Sequence, residues 1–325
     1  MMLNYIISLQ KPTKKMEYLR TFGLAPIWIE GVNGKTLSAE TIRQETTPYC
    51  KYTCPASAIG CALAHVKAWR AFLKSGEKYG IIFEDDVVLE ESFVDGLYNA
   101  LFHVPDDFDI LYLGCFGCDA ENVSSVYKVS GIFYGKNERK GRVNDFISIP
   151  EYAYAAHAYI LSRRGVQNLL YLLEGQIDDH IDIMLHKLAA TGQINTYVTT
   201  PRLAYQTSTD STTSENVNSK YPLLLTDVLH DYEIDRMVRA DYLTTTAIQQ
   251  IGPYIINGIT IVFFLLGAIA AVFKIPISYL TICYILLSIP DMARRNAENT
   301  KAFIANYVVF VLPSVIRMGI GMRMK

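Results

Sequence analysis

Three consecutive acids, Glu84, Asp85 and Asp86, interrupt an apolar run in "GIIFEDDVVL" (80–89). Carboxylates packed this closely repel one another unless a cation joins them. Hard oxygen donors suit Mg2+ or Mn2+, and such ions commonly bridge protein carboxylates to the phosphates of a substrate. Side chains alternate faces along a strand, so Glu84 and Asp86 are expected on one side and Asp85 on the other. An apolar strand that ends in acids also fits the carboxyl edge of an open α/β sheet, where ligands bind. The expectation is a divalent-cation site for a diphosphate ligand, with Asp86 as ligand and Glu84 or Asp85 beside it. The competing reading is a solvated strand end that caps a following helix.

A second acidic cluster, "QIDDHIDIMLHKL" (176–188), precedes an amphipathic run. Asp178 and Asp182 are four apart and could present two carboxylates to one cleft, one as general base and one as metal ligand. Acids in a first helical turn are also favoured by the helix dipole, so capping competes with chemistry here. His157, in "YAAHAYILS", is expected inside an apolar strand, either as a packed, hydrogen-bonded imidazole or as a ligand contact. Cys115 and Cys118 have C-x-x-C spacing, but no second pair stands at zinc-site spacing. Free or buried thiols are therefore expected, with a local disulfide or a metal as alternatives. The chain has neither a P-loop nor a G-x-S-x-G elbow.

The elements that must position these residues follow a βαβ rhythm. "LNYIISL" (3–9) reads as a strand, "KMEYLRTFG" as a helix stopped by Gly23, and "APIWIEGVNG" (25–34) as a second strand. The N-terminal apolar stretch is short and has no basic residues before it, so a strand is preferred to a secretory signal. Residues 57–74 carry a helical period, with Gly60 and Ala64 as small residues that permit close approach of a neighbour. "IIF" and "FDILYLG" (108–114) are buried-type strands, and 153–173 reads as strand, turn at "SRRG" and helix. The Ser/Thr-rich "PRLAYQTSTDSTTSENV" (201–217) reads as a loop or lid. The expected fold class is α/β with a mainly parallel sheet, over residues 1–235.

Composition changes after Asp241. From Tyr242 through Pro290 the only charge is Lys274. The stretch 253–273 has the roughly 20 apolar residues that a crossing helix needs, and 275–289 and 302–316 are shorter apolar runs. Residues 243–316 are expected to form membrane-associated helices, followed by a basic tail at 317–325. Positive flanks at 294–301 and 317–325 favour a hairpin followed by a re-entrant or interfacial helix, with the N-terminal domain facing the cytosol. With a formal net charge of −2, nothing suggests a nucleic-acid partner.

Taken together, five segments in order resemble glycosyltransferase family 25, the lipooligosaccharide and procollagen galactosyltransferase family. They are "AIGCALAHVKAWRAFLKSGEKYGIIFEDDVVL" (58–89), "FDILYLG", "HAYILSRRGVQNLL", "IDDHIDIML" and "PRLAYQTSTDS". The resemblance implies a GT-A-like nucleotide-sugar-binding domain and inverting transfer from a UDP-sugar, often UDP-galactose, with Mn2+ or Mg2+. It matches Glu84, Asp85 and Asp86 to the family's acidic motif, His157 to its "HAY" strand and Asp178 or Asp182 to its later acids. Two positions depart from the family pattern: Ser8 stands where Asn is usual, and Asn33–Gly34 where Asp-Gly is usual. The expected assignment is Asp86 and Glu84 on the metal, Ser8, Glu84, Asp85 and His157 on the donor, and Asp182 or Asp178 as catalytic base. The acceptor is a glycan, glycolipid or protein hydroxyl near a membrane. Two alternatives use the same residues: a degenerate sugar-nucleotide-binding membrane protein and a metal-dependent phosphohydrolase.

Overall fold

The computed structural model describes residues 2–118, 123–206, 221–235, 238–240, 246–252, 254–294 and 297–323. Two compact units emerge, dividing near residue 211 rather than at 235, with Ile234–Met237 grouping with the first unit. Residues 221–233, expected with the first domain, group instead with the C-terminal helices.

In the first unit an eight-stranded sheet forms the middle layer. Its strands are β1 (Leu3–Ser8), β2 (Ile27–Glu30), β3 (Tyr79–Glu84), β5 (Ile110–Tyr112), β6 (Gly141–Arg142), β7 (Ile147–Ile149), β8 (Ala158–Ser162) and β9 (Thr196–Thr199). Their spatial order is β2-β1-β3-β8-β5-β9-β7-β6. The pairs β1–β2, β1–β3 and β5–β9 are parallel. β8 runs antiparallel to both β3 and β5, and β7 antiparallel to both β9 and β6. The sheet is thus mainly parallel with two reversed strands, and one of these sits at its centre. A small second sheet pairs β4 (Val87–Leu89) with β10 (Ala204–Gln206). The loop expected over 201–217 therefore begins as a strand; its remainder lies outside the described residues.

One face of the sheet packs against the 20-residue helix α4 (Ala56–Ser75), with Ile59, Ala62, Val66, Trp69 and Phe72 buried. α4 ends at Gly76, whose φ of 81° is the left-handed conformation expected after a helix. Of the small residues expected to allow close approach, Gly60 does so, and Gly34, which carried no such expectation, does so on the facing segment. A Cβ on Gly60 would lie 2.4 Å from Val32 O, and one on Gly34 only 1.6 Å from Ala56 O. α1 (Thr13–Arg20) and α5 (Phe93–His103) bury Met16, Leu19, Phe93 and Leu97 in the second core cluster, with Phe83 and Leu111 of the sheet. α7 (Arg163–Leu173) follows β8 without the expected turn, because Ser162 closes the strand and caps the helix, its Oγ accepting Gly165 N–H at 2.9 Å.

The cysteine expectation changes as well. Cys50 pairs with Cys54 and Cys115 with Cys118, while Cys61 and Cys283 are free. Local backbone turns bring each pair's Cα atoms to 4.6 and 5.6 Å, within bridging reach.

In the second unit, α10 (Gly258–Val272), α11 (Ile277–Arg294) and α12 (Ala297–Arg323) enclose a core of Ile259, Phe263, Ala270, Leu280, Tyr284 and Phe310. Among the described residues, one helical stretch, Asn299–Ile320, is long and apolar enough to cross a membrane, by length and composition. The expectation put that length at 253–273 instead. There Tyr254–Ile256 forms a hairpin strand with Gln249–Ile251, and Asn257 caps the helix that follows. The resulting 15-residue helix is about 22 Å long, short of the roughly 30 Å hydrocarbon core.

Candidate active site at the carboxyl edge of the sheet

β1 and β3 run parallel, with Ile7 opposite Glu84, so the next residues, Ser8 and Asp85, meet at the carboxyl edge. Ser8 Oγ donates to Asp85 Oδ2 in a short contact. Asp85 and Asp86 form a turn between β3 and β4, which ends the strand alternation at Glu84. The three acids consequently diverge, each with its own partner, rather than presenting Glu84 and Asp86 as a facing pair. Asp86 Oδ2 accepts from Gln206 Nε2 at 2.5 Å, a contact set by the β4–β10 register that places Gln206 opposite Val87. Burial, together with the charges of Glu84 and Asp85, pushes the Asp86 carboxyl up to about 8 despite that hydrogen bond.

Glu84 turns toward α4. Its Oε1 lies 3.0 Å from His65 Nε2 and 4.0 Å from Cys61 Sγ. Cys61 and His65 are four apart on one helix face, which brings both to the same carboxylate. Burial pushes Glu84 up, but the His65 hydrogen bond and the His65 and His157 charges outweigh it and hold the carboxyl below its ordinary value. The same surroundings act oppositely on Cys61: burial, then Glu84, raise its thiol well above the usual range. His65 Nδ1 lies 2.8 Å from Tyr159 OH, which also receives Trp69 Nε1–H at 2.8 Å. Trp69, Tyr159 and His65 are fully buried, so a continuous hydrogen-bonded line runs from the core to Glu84.

His157 precedes β8 rather than lying within it. Its carbonyl accepts Glu84 N–H at 2.9 Å, which places the imidazole at the same edge. The ring is fully buried; neither nitrogen meets ordinary hydrogen-bond geometry, although a backbone contact with Ala204 favours its protonated form. Burial pushes it down to about 4, against the pull of Glu84, so it is neutral at physiological pH.

Asp182 sits in the first turn of α8 (Ile181–Ala190). Its Oδ2 accepts Ala155 N–H at 3.1 Å and its Oδ1 the amide of Ile183 at 2.9 Å. Ala155 adopts φ 72°, a strained conformation for a residue with a Cβ. The Asp182 charge reaches Cys61, Tyr112 and His186, placing it within the site's field. Asp178 does not share that position. It lies outside the helix, accepts from Thr47 Oγ1 at 3.0 Å, and stands 3.7 Å from Lys187, which pairs more closely with Asp179 at 2.9 Å. The two acids therefore have different partners, and because the helix begins only at Ile181 they are not an i, i+4 pair on one helix face.

Several contributors carried no sequence expectation. Lys15, in the first turn of α1, donates to Val87 O at 2.5 Å, and burial lowers its ammonium against the opposing pull of Asp86 and Asp85. Gln206, Cys61, His65 and Tyr159 also belong to the site. The i, i+4 spacing of Cys61 and His65 was a usable signal; nothing local marked Gln206 or Tyr159.

Residues 1–185 match the family model described as glycosyltransferase family 25 (LPS biosynthesis protein). Among curated proteins, the chain is 23% identical over 181 residues to the rat "Probable inactive glycosyltransferase 25 family member 3", covering 51% of this chain and 29% of that protein. It is 24% identical over 185 residues to the human "Inactive glycosyltransferase 25 family member 3", covering 51% and 28%. It is 24% identical over 153 residues to the zebrafish (Danio rerio) "Procollagen galactosyltransferase 1", covering 44% and 23%. The chain thus spans less than a third of the length of these relatives. With the family model covering more than half of its residues, including the acidic turn and Asp182, the chain belongs to glycosyltransferase family 25.

Proposed function

We propose that this chain transfers a hexosyl unit, galactose first among candidates, from a UDP-sugar to a hydroxyl of a glycan, glycolipid or protein. The observation that carries the reading is the meeting of Ser8, Asp85, Asp86 and His157 at the carboxyl edge of the sheet in a family 25 chain. Ligands of open α/β sheets bind at that edge.

Asp85 and Asp86 offer hard oxygen donors of the kind that Mg2+ or Mn2+ takes; burial first, and then the charge of Glu84, keep the Asp86 carboxyl raised, and a bound cation would favour its ionised form. Such an ion, when bound, supplies charge neutralisation to a departing diphosphate. The expected ligand pair is revised: Glu84 is held by His65, so Asp85 takes its place beside Asp86. Lys15 adds a positive charge on the same side. His157, neutral and buried beside Glu84 and the Ala204 backbone, offers a ring N–H to the donor. Asp182, oriented by two backbone amides, retains lone pairs that accept the acceptor hydroxyl proton as that oxygen attacks the anomeric carbon. Attack opposite the leaving diphosphate inverts the anomeric configuration. Asp178, bonded to Thr47, has a structural part.

Membrane association belongs to this proposal and rests on the Asn299–Ile320 helix. A cytosolic orientation is favoured by the basic flanks, whereas two disulfides favour an oxidising compartment. Impermeant thiol labelling of an Asp95→Cys variant in intact cells distinguishes the two sides.

A second reading, a sugar-nucleotide-binding protein without turnover, is favoured by the names of the rat and human relatives and by the engagement of Glu84 with α4. The full chain in detergent, given UDP-sugars, Mn2+ and an acceptor array, separates the readings. Acceptor-dependent UDP release that Asp86→Asn abolishes supports transfer. Release without acceptor means hydrolysis, and donor binding without release supports the non-catalytic reading.

A further inference from the structure

The acid triplet is not where metal-type donors converge. Among the described residues, the one group of three is Cys61 Sγ, His65 Nε2 and Glu84 Oε1, all within 4.8 Å of one another. We propose that these three residues form a second, softer cation site that takes zinc, distinct from the Asp85–Asp86 pair.

Four features of the geometry support it. First, the donors come from rigid elements: two from one face of α4, four residues apart, and one from the end of β3. Second, their spacing is near that of a filled site. Zinc–ligand bonds of about 2.0–2.3 Å in a tetrahedron put donor atoms roughly 3.3–3.7 Å apart. The observed separations from Glu84 Oε1, 3.0 Å to His65 and 4.0 Å to Cys61, bracket that range. Third, His65 has the outer partner that metal-bound imidazoles need. Its Nδ1 faces Tyr159 OH, which is itself fixed by Trp69, so an Nδ1–H tautomer would leave Nε2 free to coordinate. Fourth, His65 is fully buried while Glu84 keeps 21% side-chain exposure, so three protein ligands leave a fourth position facing the edge of the sheet.

The donor chemistry selects the ion. Thiolate, imidazole and one carboxylate suit zinc, whereas Mg2+ and Mn2+ prefer all-oxygen sets. Binding is proton-balanced: the Cys61 thiol releases its proton to solvent, and the His65 ring carries its proton on Nδ1 toward Tyr159.

This inference does not rest on sugar transfer, because its readout is bound metal. The purified full chain, stripped with EDTA and dialysed against Co2+ as a spectroscopic stand-in for zinc, should show a thiolate-to-cobalt charge-transfer band of one equivalent that zinc displaces. Cys61→Ser should abolish the band, whereas Cys283→Ser and Asp86→Asn should keep it. Tyr159→Phe should weaken zinc binding by about 10- to 100-fold, the usual cost of losing an outer-shell partner. Absence of the band in the unmodified chain overturns the site. So does zinc binding of unchanged stoichiometry and affinity in a folded Cys61→Ser chain, with folding checked by circular dichroism. If transfer activity fails while the band appears, the zinc site stands and the transferase reading falls.

Discussion

Tyr159→Phe tests the buried line from the core to Glu84. The substitution keeps the ring and removes one oxygen, so no cavity opens in the packing. That oxygen serves two buried partners, Trp69 Nε1 and His65 Nδ1, each at 2.8 Å. All three side chains are fully buried, so water cannot replace the lost partner. A typical intramolecular hydrogen bond contributes about 0.5–1.5 kcal/mol net, but leaving a buried donor or acceptor unsatisfied costs about 1–3 kcal/mol. With two groups orphaned and partial relaxation of the His65 ring, the expected loss is about 2–4 kcal/mol. The assay is urea unfolding of the full chain in detergent, followed by tryptophan fluorescence. The chain holds two tryptophans, and one of them, Trp69, is at the perturbed bond. Tyr171→Phe, on an exposed ring, serves as control and should change stability by less than about 0.5 kcal/mol. A Tyr159→Phe loss no larger than that of the control would refute the buried line.

Gly34→Ala drives a Cβ to 1.6 Å from a backbone carbonyl and should prevent stable folding, whereas Gly23→Ala, with open space but φ 74°, should cost only about 1 kcal/mol; expression and melting measure both. Asp182→Asn keeps its acceptor oxygen for Ala155, so the fold should hold while acceptor-dependent turnover drops by about 10²–10⁴-fold; Asp178→Asn should change turnover little. For pH, His157, lowered to about 4, contributes stability that is lost as pH falls below its unfolded value near 6.5. Asp86, raised to about 8, acts in the opposite sense, so stability falls as pH rises from about 4 to 8. The two slopes oppose each other up to about pH 6.5, and above that Asp86 alone remains. Unfolding in EDTA should therefore show declining stability from about pH 6.5 to 8, and Mn2+ or Asp86→Asn should flatten that decline; a flat profile in EDTA refutes the Asp86 assignment.

Much of the frame is local and therefore legible in the chain. The helical period of 57–74, the buried run that becomes β3 and the helix stops at Gly23 and Gly76 depend on side-chain patterning and backbone preference within a few residues. The position of the acids at a strand's carboxyl end is equally local, as is the small-residue contact at Gly60. The family relation is legible too, since it rests on ordered motifs.

Tertiary structure decided which acids act together. Turn geometry at Asp85–Asp86 breaks the alternation that would pair Glu84 with Asp86, and α4 captures Glu84 through Cys61 and His65. The late start of α8 leaves Asp178 outside the helix with a partner of its own, and the β4–β10 register brings Gln206, 120 residues away, onto Asp86. The reversed direction of β8 likewise follows from contacts beyond the local pattern. A sequence records the charge and reach of each side chain. Its partner depends on where distant backbone segments end, and their pairing and packing set that point.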